Sequence, residues 1–385
     1  MRIMHLIDSL EIGGAERTLV EVANAAAADG HDVFVVITRS VTTLASDLHP
    51  NIKLITLNRR YRLDVAAMRR VADHAHRHCV DVVHAHGRTT LSFIAAVRTL
   101  RLTRIPVVFH DHYGSIETDG TVPYWFRWWG RHHVSQYVGV YAKFAKWATD
   151  AGIAPQRIHV IENALDLARL DSLARLDSKA VPRESTLRQQ FAIPNDLLLG
   201  IVICGIRPDK GVDILLNALA QSQYRDAFKI VLIGGERDAA YAAACRTQRS
   251  LLELDDTVIF AGQRPDAATL LPEADFAVLP SRSESGPLVL IEYLAAGLPF
   301  VATKVGSVGM RTCSLGVPDF VPAGDIQGLA LALDNLLRLT PHQRRERGET
   351  GRAVARHHFD IRAAMPQWYA VYNAAITNGN SSERG

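Results

Sequence analysis

Residues 280–302, PSRSESGPLVLIEYLAAGLPFVA, contain a polar loop that leads into an apolar helix. Pro287 suits the first position of that helix, and Gly297 suits the left-handed residue just past its end. Glu284 then lies on the loop at the mouth of the helix, and Glu292 lies within it. Because a helix N-terminus presents unpaired N–H groups, it favours a phosphate or sugar oxygen. The stretch predicts a sugar-nucleotide site with two carboxylates; the alternative is a surface helix with two solvated acids.

Both halves of the chain repeat one order of elements: an apolar strand, a loop with glycine or charge, and a helix. Continuous runs rich in β-branched residues indicate strands buried on both faces of a parallel sheet. Their alternation with helices predicts two doubly wound, Rossmann-like α/β domains, which would face a central cleft because ligands bind at the carboxyl ends of such strands. The predicted strands are 3–7, 33–37, 80–84 and 107–110, then 199–205, 229–233, 257–260, 276–279 and 300–302.

One polar and charged segment, with Pro182 and Pro194, interrupts this order. It predicts an inter-domain connection over residues 167–196. The N-terminal domain would then comprise residues 1–166 and the C-terminal domain residues 197–358.

The composition is that of a globular protein: 385 residues, 48% hydrophobic, with a net charge of +3 that implies no nucleic-acid partner. The four cysteines are scattered, which fits a reducing cytosol better than a disulfide framework. Residues 1–7 are too few for a signal peptide. The longest apolar run, 197–206, is about half of what spans a bilayer, so we expect any membrane contact to be at the surface.

Two cations lie in the loop CGIRPDKG that follows a buried strand, at residues 204–211. Arg207 and Lys210 can neutralise a diphosphate and stabilise it as a leaving group without a metal ion. The alternative is a solvated turn with incidental charges, in which Asp209 pairs with either cation.

Gly13 and Gly14 join the first strand to the first helix, in GGAER. Adjacent glycines let a backbone approach a ligand closely and offer N–H donors, although a purely structural turn is the alternative. The motif is not the dinucleotide fingerprint, because the glycines are adjacent and the third is absent.

Two His-x-His pairs are placed at predicted strand ends, His84 with His86 and His110 with His112. Such pairs suggest a metal, but no further close cluster completes a ligand set in the sequence, so we predict no metal site. His110 follows the apolar run 107–109 directly, and we expect it to donate to a sugar hydroxyl; a satisfied core or surface histidine is the alternative.

The segment Tyr124–His133, YWFRWWGRHH, mixes aromatic residues with arginine. This mixture suits contact with lipid headgroups or stacking on sugars. A helix that packs its aromatic residues into the N-terminal core is the other interpretation.

Together these segments resemble the retaining glycosyltransferases of the GT-B fold, family 4. The resemblance runs from the first strand to about Tyr372, nearly the whole chain. Residues 359–378 resemble the closing helix of the family, which crosses back to the N-terminal domain. The matching segments, in order, are GGAER, the strand end at His110, VIENALD at 160–166, RPDKG, FAGQRPD at 260–266, and the Glu284/Glu292 pair with its flanks.

The resemblance implies that a nucleoside diphosphate sugar is bound mainly by the C-terminal domain. Arg207 and Lys210 would bind the diphosphate, Glu292 the ribose hydroxyls, and Glu284 would lie against the transferred sugar. His110 would lie beside the sugar and would count, with Glu284, Arg207 and Lys210, among the catalytic residues. The other implied donor-binding residues are Ser285, Gly286 and Leu288 after Glu284, Gly262 and Arg264 near the base, and Gly13 and Gly14 near the phosphates.

The chain departs from the family pattern directly after Glu284. The family usually has Gly, an aromatic residue and Gly there, whereas this chain has Ser285, Gly286 and Pro287. Pro287 has no N–H group, so one backbone contact to the donor is absent.

We therefore expect a retaining, metal-independent hexosyltransferase without a cofactor, acting in polysaccharide or glycolipid biosynthesis. The donor would be linked to UDP or GDP, and the acceptor would be a glycan, a lipid-linked glycan or a small molecule. Two alternatives stay open: a non-catalytic nucleotide-sugar-binding partner subunit, and a sugar-nucleotide epimerase on the same architecture. We expect a cytoplasmic protein, with peripheral contact at the inner face of the cell membrane through Tyr124–His133 as a further option.

Overall fold

The computed structural model describes residues 1–113, 121–170 and 186–381, with side chains to residue 378. Contacts divide the chain into two compact units. The first unit comprises Met1–Leu165 together with Ile361–Gly385, and the second comprises Asp166–Asp360. Of the predicted connection 167–196, residues 171–185 lie outside the described residues.

The first unit is built on a seven-stranded parallel sheet of order β3-β2-β1-β4-β5-β6-β7. Its central strands are buried almost throughout and rich in apolar residues, because helices cover both faces of the sheet. The strands are β1 Arg2–Ile7, β2 Asp32–Ile37, β3 Lys53–Thr56, β4 Val82–His86, β5 Val107–Asp111, β6 Gln136–Gly139 and β7 Ile158–Val160. The helices are α1 Gly14–Ala28, α2 Val65–Arg77, α3 Arg88–Thr99, α4 Tyr124–His133 and α5 Ala142–Asp150.

The second unit has a six-stranded parallel sheet of order β10-β9-β8-β11-β12-β13. Its strands are β8 Leu198–Ile203, β9 Phe228–Ile233, β10 Val258–Gly262, β11 Phe276–Leu279, β12 Phe300–Thr303 and β13 Phe320–Val321. Its helices are α6 Leu187–Gln190, α7 Val212–Gln221, α8 Ala239–Leu251, α9 Leu288–Ala296, α10 Gly306–Ser314, α11 Ile326–Leu337 and α12 Pro341–His358. Two parallel doubly wound sheets confirm the predicted α/β class.

The final helix, α13 Ile361–Ser381, belongs to the first unit. Its start is joined to that unit by the Ile361 N–H, which donates to the Leu165 carbonyl at 2.9 Å. Trp368 and Tyr372 are buried in the core between this helix and the sheet. No helix among the described residues is both long enough and apolar enough to cross a membrane.

Several predicted boundaries are wrong, and the short strands β3, β6, β7 and β13 carry no clear sequence signal. β3 has an exposed edge position and β13 is two residues long, so neither forms the long apolar run that marks a central strand. β4 ends at His86 and not at residue 84, which places His84 inside the strand. Pro287 is the N-cap of α9 and not its first residue, because its ψ of 107° is extended; Gly297 is confirmed as the left-handed C-cap, at φ 67°.

Candidate functional site

The loop after β8 brings Arg207 and Lys210 to the carboxyl edge of the second sheet. Residues Pro208–Lys210 form one 3-10 turn, which ends at Gly211 with a φ of +66°. A Cβ at Gly211 would lie 2.1 Å from the carbonyl oxygen of Pro280, so only glycine lets this loop touch the loop after β11. The backbone contact explains how residues far apart in sequence come together.

Lys210 and Glu284 form an ion pair between these two loops. Lys210 Nζ lies 2.6 Å from Glu284 Oε1, with side-chain exposures of 14% and 11%. Ser281 Oγ donates to the same oxygen at 2.9 Å. Glu284 and Glu292 are both buried, so the interpretation of two solvated acids on a surface helix is wrong.

Asp209 pairs with both cations of the loop. Its Oδ1 lies 2.9 Å from Arg207 Nε, and its Oδ2 lies 3.6 Å from Lys210 Nζ. The Arg207 side chain is nevertheless 45% exposed. Its charge is therefore accessible to an incoming anion, whereas Lys210 is held in place.

A second pair, between Arg282 and Asp213, holds the loop after β11. Arg282 Nη1 donates to Asp213 Oδ1 at 2.6 Å and to the Pro208 carbonyl at 2.8 Å, and its Nη2 donates to Asp213 Oδ2. The Arg282 N–H also donates to the Asp209 carbonyl, at 2.8 Å. Burial acts to raise the pKa of Asp213, but hydrogen bonds from Arg282 and Tyr241 outweigh it, so the pKa lies below its ordinary value. The sequence gives no sign of this ion pair, because nothing in the spacing links residues 213 and 282.

The loop that contains Ser285 and Gly286 rests on the start of α10. The Ser307 N–H donates to the Ser285 carbonyl at 2.9 Å. Gly306 has a φ of +67°, and a Cβ there would lie 3.1 Å from the Glu284 carbonyl oxygen. Leu288 is buried at the first position of α9, and the same helix contains Glu292.

Gly262 is the last residue of β10, the outer strand of the same sheet, and Arg264 lies just after it. Gly262 has a φ of +72° and open space where a Cβ would stand. Arg264 donates two hydrogen bonds to the Asp266 carboxylate, at 3.0 Å from Nε and at 2.8 Å from Nη2. Its Nη1 donates to Gln190 Oε1 at 2.6 Å. The hydrogen bonds to Asp266 raise the pKa of Arg264.

The remaining predicted residues belong to the first unit. Gly13 is the N-cap of α1, and Gly14 is its first residue. Neither has a positive φ, and Gly14 has open space at its Cβ position. His110 lies in β5, fully buried.

His110 is one of five histidines on or directly after neighbouring strands, with His5, His84, His86 and His112. Ring centroids of His84 and His86 are 4.1 Å apart, and those of His110 and His112 are 3.8 Å apart. In space, His5 of β1 joins His84 and His86, with ligand atoms within 4.8 Å of one another, although His5 is far from the other two in sequence; the expectation of no metal site stays a prediction. Sequence analysis overlooked His5, although it too follows the start of a buried strand.

The aromatic helix α4 divides its residues between core and surface. Phe126 is fully buried, and Trp125 packs on the core of the first unit. Tyr124 and Trp128 are 89% and 48% exposed. The core interpretation is therefore confirmed for Phe126 and Trp125, and contact of the exposed side chains with lipid or sugar stays a prediction.

Both halves of the chain match family models of known glycosyltransferases. A family model described as Glycosyltransferase Family 4 matches residues 12–169, and one described as Glycosyl transferases group 1 matches residues 199–338. Among solved structures, a glycosyltransferase from Rickettsia africae has a TM-score of 0.80 at 16% identity, covering 98% of this chain and 99% of its own. Anabaena Alr3699/HepE in complex with UDP and glucose has a TM-score of 0.77 at 21% identity, covering 97% and 100%.

Characterised relatives differ in how much of their length is matched. N-acetyl-alpha-D-glucosaminyl L-malate synthase of Bacillus anthracis is 23% identical over 94% of both chains. D-inositol 3-phosphate glycosyltransferase of Mycobacterium tuberculosis is 30% identical over 59% of this chain, and the match spans 44% of that enzyme, less than half of its length. With both halves matched in order and both sheets in place, the chain belongs to glycosyltransferase family 4, with the two Rossmann-like domains of the GT-B fold.

Proposed function

We propose that this protein transfers a hexose from a nucleoside diphosphate sugar to an acceptor, with retention of anomeric configuration and without a metal ion. The observation that carries the proposal is the Lys210–Glu284 pair beside the accessible Arg207, at the carboxyl edge of a parallel sheet. Anabaena Alr3699/HepE has been solved with UDP and with UDP-glucose. A uridine diphosphate donor is therefore our first choice, and a guanosine diphosphate donor the second.

Arg207 and Lys210 supply the charge for the diphosphate. With Asp209 and Glu284 as their partners, the two cations are nearly balanced before the donor binds. An arriving diphosphate would draw the Arg207 guanidinium from Asp209, and Lys210 is already positioned by Glu284. Cations that are fixed before the reaction stabilise the charge that develops on the leaving diphosphate at little reorganisation cost.

Glu284 has one carboxylate oxygen committed and one available. Lys210 and Ser281 both donate to Oε1. Among the described residues, no hydrogen bond falls on Oε2, so this oxygen can accept from a hydroxyl of the transferred sugar. The pairing with Lys210 fixes the direction in which Oε2 is presented.

The other assignments follow the family resemblance. We propose Glu292 for the ribose hydroxyls, the backbone at Ser285, Gly286 and Leu288 for the sugar, and Gly262 with Arg264 for the base. On the resemblance alone we also propose His110 as a catalytic residue, and Gly13 and Gly14 as donor-binding residues. We assign no general base.

Calorimetric titration with UDP, GDP and ADP and their sugar conjugates, with and without Mg²⁺, tests the donor site. We expect one nucleotide to bind independently of Mg²⁺, and binding to be lost in Glu292→Ala and Arg207→Ala. Arg225→Ala is a matched control, because Arg225 pairs with Glu253 on the surface. If none of the nucleotides binds to the wild-type protein, the proposal is wrong.

A non-catalytic partner subunit is the second candidate, and the observation that favours it is Pro287 at the N-cap of α9, where an N–H is absent. Tight donor binding without transfer, with transfer regained only on addition of a partner, would support it. Proton NMR of the donor incubated with the protein alone distinguishes the transferase and the partner subunit from an epimerase. Only an epimerase would convert the sugar of the donor into another sugar.

We also propose that α4 contacts a membrane surface, where the acceptor would be lipid-linked. Tyr124 and Trp128 are exposed aromatic side chains, and the same helix contains Arg127 and Arg131. Flotation with anionic vesicles should show binding that is lost in Tyr124→Ser/Trp128→Ser. Unchanged flotation of that double variant would contradict the contact.

A further inference from the structure

Four histidines lie on one face of the first sheet, across β1, β4 and β5, and His112 follows directly after β5. His5 stands opposite His84 in the β1–β4 register, and His86 stands opposite His110 in the β4–β5 register. Side chains two residues apart on a strand point to the same face, so His84 and His86 share it. Helix α13 covers this face: the Trp368 ring lies 4.9 Å from His84, centroid to centroid.

The three innermost rings, of His5, His84 and His86, have the spacing of a metal ligand set. One nitrogen from each lies within 4.8 Å of the others. His5 Nδ1 and His86 Nε2 are 3.0 Å apart. Two nitrogens bound to one tetrahedral zinc ion are about 3.3 Å apart, given bonds of about 2.0–2.1 Å. Small ring rotations would therefore direct all three rings at one ion.

The outer nitrogens of two of these rings are already held. His84 Nδ1 lies 2.9 Å from the Tyr372 hydroxyl oxygen, and His86 Nδ1 lies 3.2 Å from His112 Nε2. Metal-binding histidines characteristically use their second nitrogen in such a bond, which orients the ring. His84 Nε2 is buried and has no hydrogen-bond partner among the described residues. The free nitrogen of an oriented ring is the atom that an ion would bind.

We propose that His5, His84 and His86 bind one borderline divalent transition-metal ion, Zn²⁺ or its chemical neighbours Co²⁺ and Ni²⁺. Three imidazole nitrogens suit these ions and not Mg²⁺ or Ca²⁺, which require oxygen ligands. The ion would tie β1 to β4 and act structurally. The proposal does not rest on the transferase activity, because its residues are in the first unit and Arg207, Lys210 and Glu284 are in the second.

The test uses the full chain without a histidine tag, stripped with a chelator. On titration with Co²⁺, we expect one ion per chain with the absorption bands of tetrahedral cobalt and no thiolate charge-transfer band; Zn²⁺ should raise the melting temperature. His5→Asn and His84→Asn should abolish binding. Tyr372→Phe should weaken it by roughly 10- to 100-fold, because the outer bond of His84 is lost.

His74→Asn is the matched control, since His74 lies on α2, outside the cluster, and its variant should bind as the wild type does. The proposal is overturned if the wild-type protein binds no stoichiometric ion, or if His5→Asn and His84→Asn bind normally. Binding lost in His112→Asn but kept in His84→Asn would also overturn it, and would place the ion on His86, His110 and His112. If the variants misfold, X-ray absorption of the wild-type zinc protein decides: three imidazoles are expected, and sulfur ligands contradict the assignment.

Discussion

Lys210 Nζ lies 2.6 Å from Glu284 Oε1, and this pair joins the loops that follow two adjacent strands, β8 and β11. Both side chains are largely buried, so each charge depends on the other for its solvation. The pair is therefore structural as well as a candidate part of the donor site, and the two roles can be separated by experiment.

Removal of one partner should destabilise the second unit. In Lys210→Met or Glu284→Leu we expect a loss of about 3 kcal/mol in the free energy of unfolding, because the remaining buried charge is left without its partner. The double variant Lys210→Met/Glu284→Leu should recover most of that stability while donor binding stays lost. Urea denaturation and donor titration of all three variants measure this, and additive losses in the double variant would show that the pair contributes nothing.

Helix α12 approaches the end of α9 at a glycine, and substitution there should be costly. A Cβ at Gly348 would lie 1.9 Å from the carbonyl oxygen of Gly297, a backbone atom that cannot move aside. Gly348→Ala should lower stability by about 1–3 kcal/mol, the usual cost of overpacking.

Gly351 on the same helix provides the comparison. Its Cβ would lie 3.0 Å from Leu294 Cδ2, the end of a side chain that has to shift by only a few tenths of an ångström, and 3.9 Å from Leu294 Cα, an ordinary contact. Because alanine favours helix by about 1 kcal/mol over glycine, Gly351→Ala should be neutral or stabilising. Equal melting temperatures for the two variants would contradict the close approach at Gly348.

The Arg282–Asp213 ion pair should make the free energy of unfolding decrease as the pH falls into the acid range. Because Asp213 has a lowered pKa in the folded protein, the unfolded chain binds its proton more readily. The stabilisation is present above the unfolded pKa of about 3.9 and is lost as pH falls below it towards the folded value. Urea denaturation between about pH 5 and pH 3 should therefore show a steeper decline for the wild-type protein than for Asp213→Asn. If the stabilities of the wild-type protein and Asp213→Asn decline in parallel, Asp213 is not a source of the pH dependence.

The exposed cysteine Cys79 should react with thiol reagents faster than the buried cysteine Cys204. Burial raises the pKa of the Cys204 thiol to about 12, so almost no thiolate is present near neutral pH, and the thiolate is the reactive form. Cys79 is exposed. Mass spectrometry after treatment with a thiol reagent at about pH 8 should show fast labelling of Cys79, with Cys204 labelled only on addition of denaturant. Labelling of both at the same rate in the folded protein would contradict the burial of Cys204.

The sequence predicts the central strands well and the edges poorly. β1, β5, β8, β9, β11 and β12 are rich in apolar residues, because a parallel sheet covered by helices has no solvent-facing side. The limits of β4 were misplaced, since an alternation of histidine with apolar residues does not look like a buried strand until the strand is paired. The edge strand β3 depends on its pairing with β2 and not on its own side chains.

By itself, the sequence determined the class of fold and which loops contain the candidate residues, because periodicity and glycine positions are local properties of the chain, and its ordered motifs carried the resemblance to the family. Only the tertiary structure decided which charges and rings meet. Lys210 and Glu284 are 74 positions apart and His5 and His86 are 81 apart, and they are neighbours because strand order and register place them so. Strand order depends on how the helices cover both faces of each sheet, and no short stretch of sequence records that.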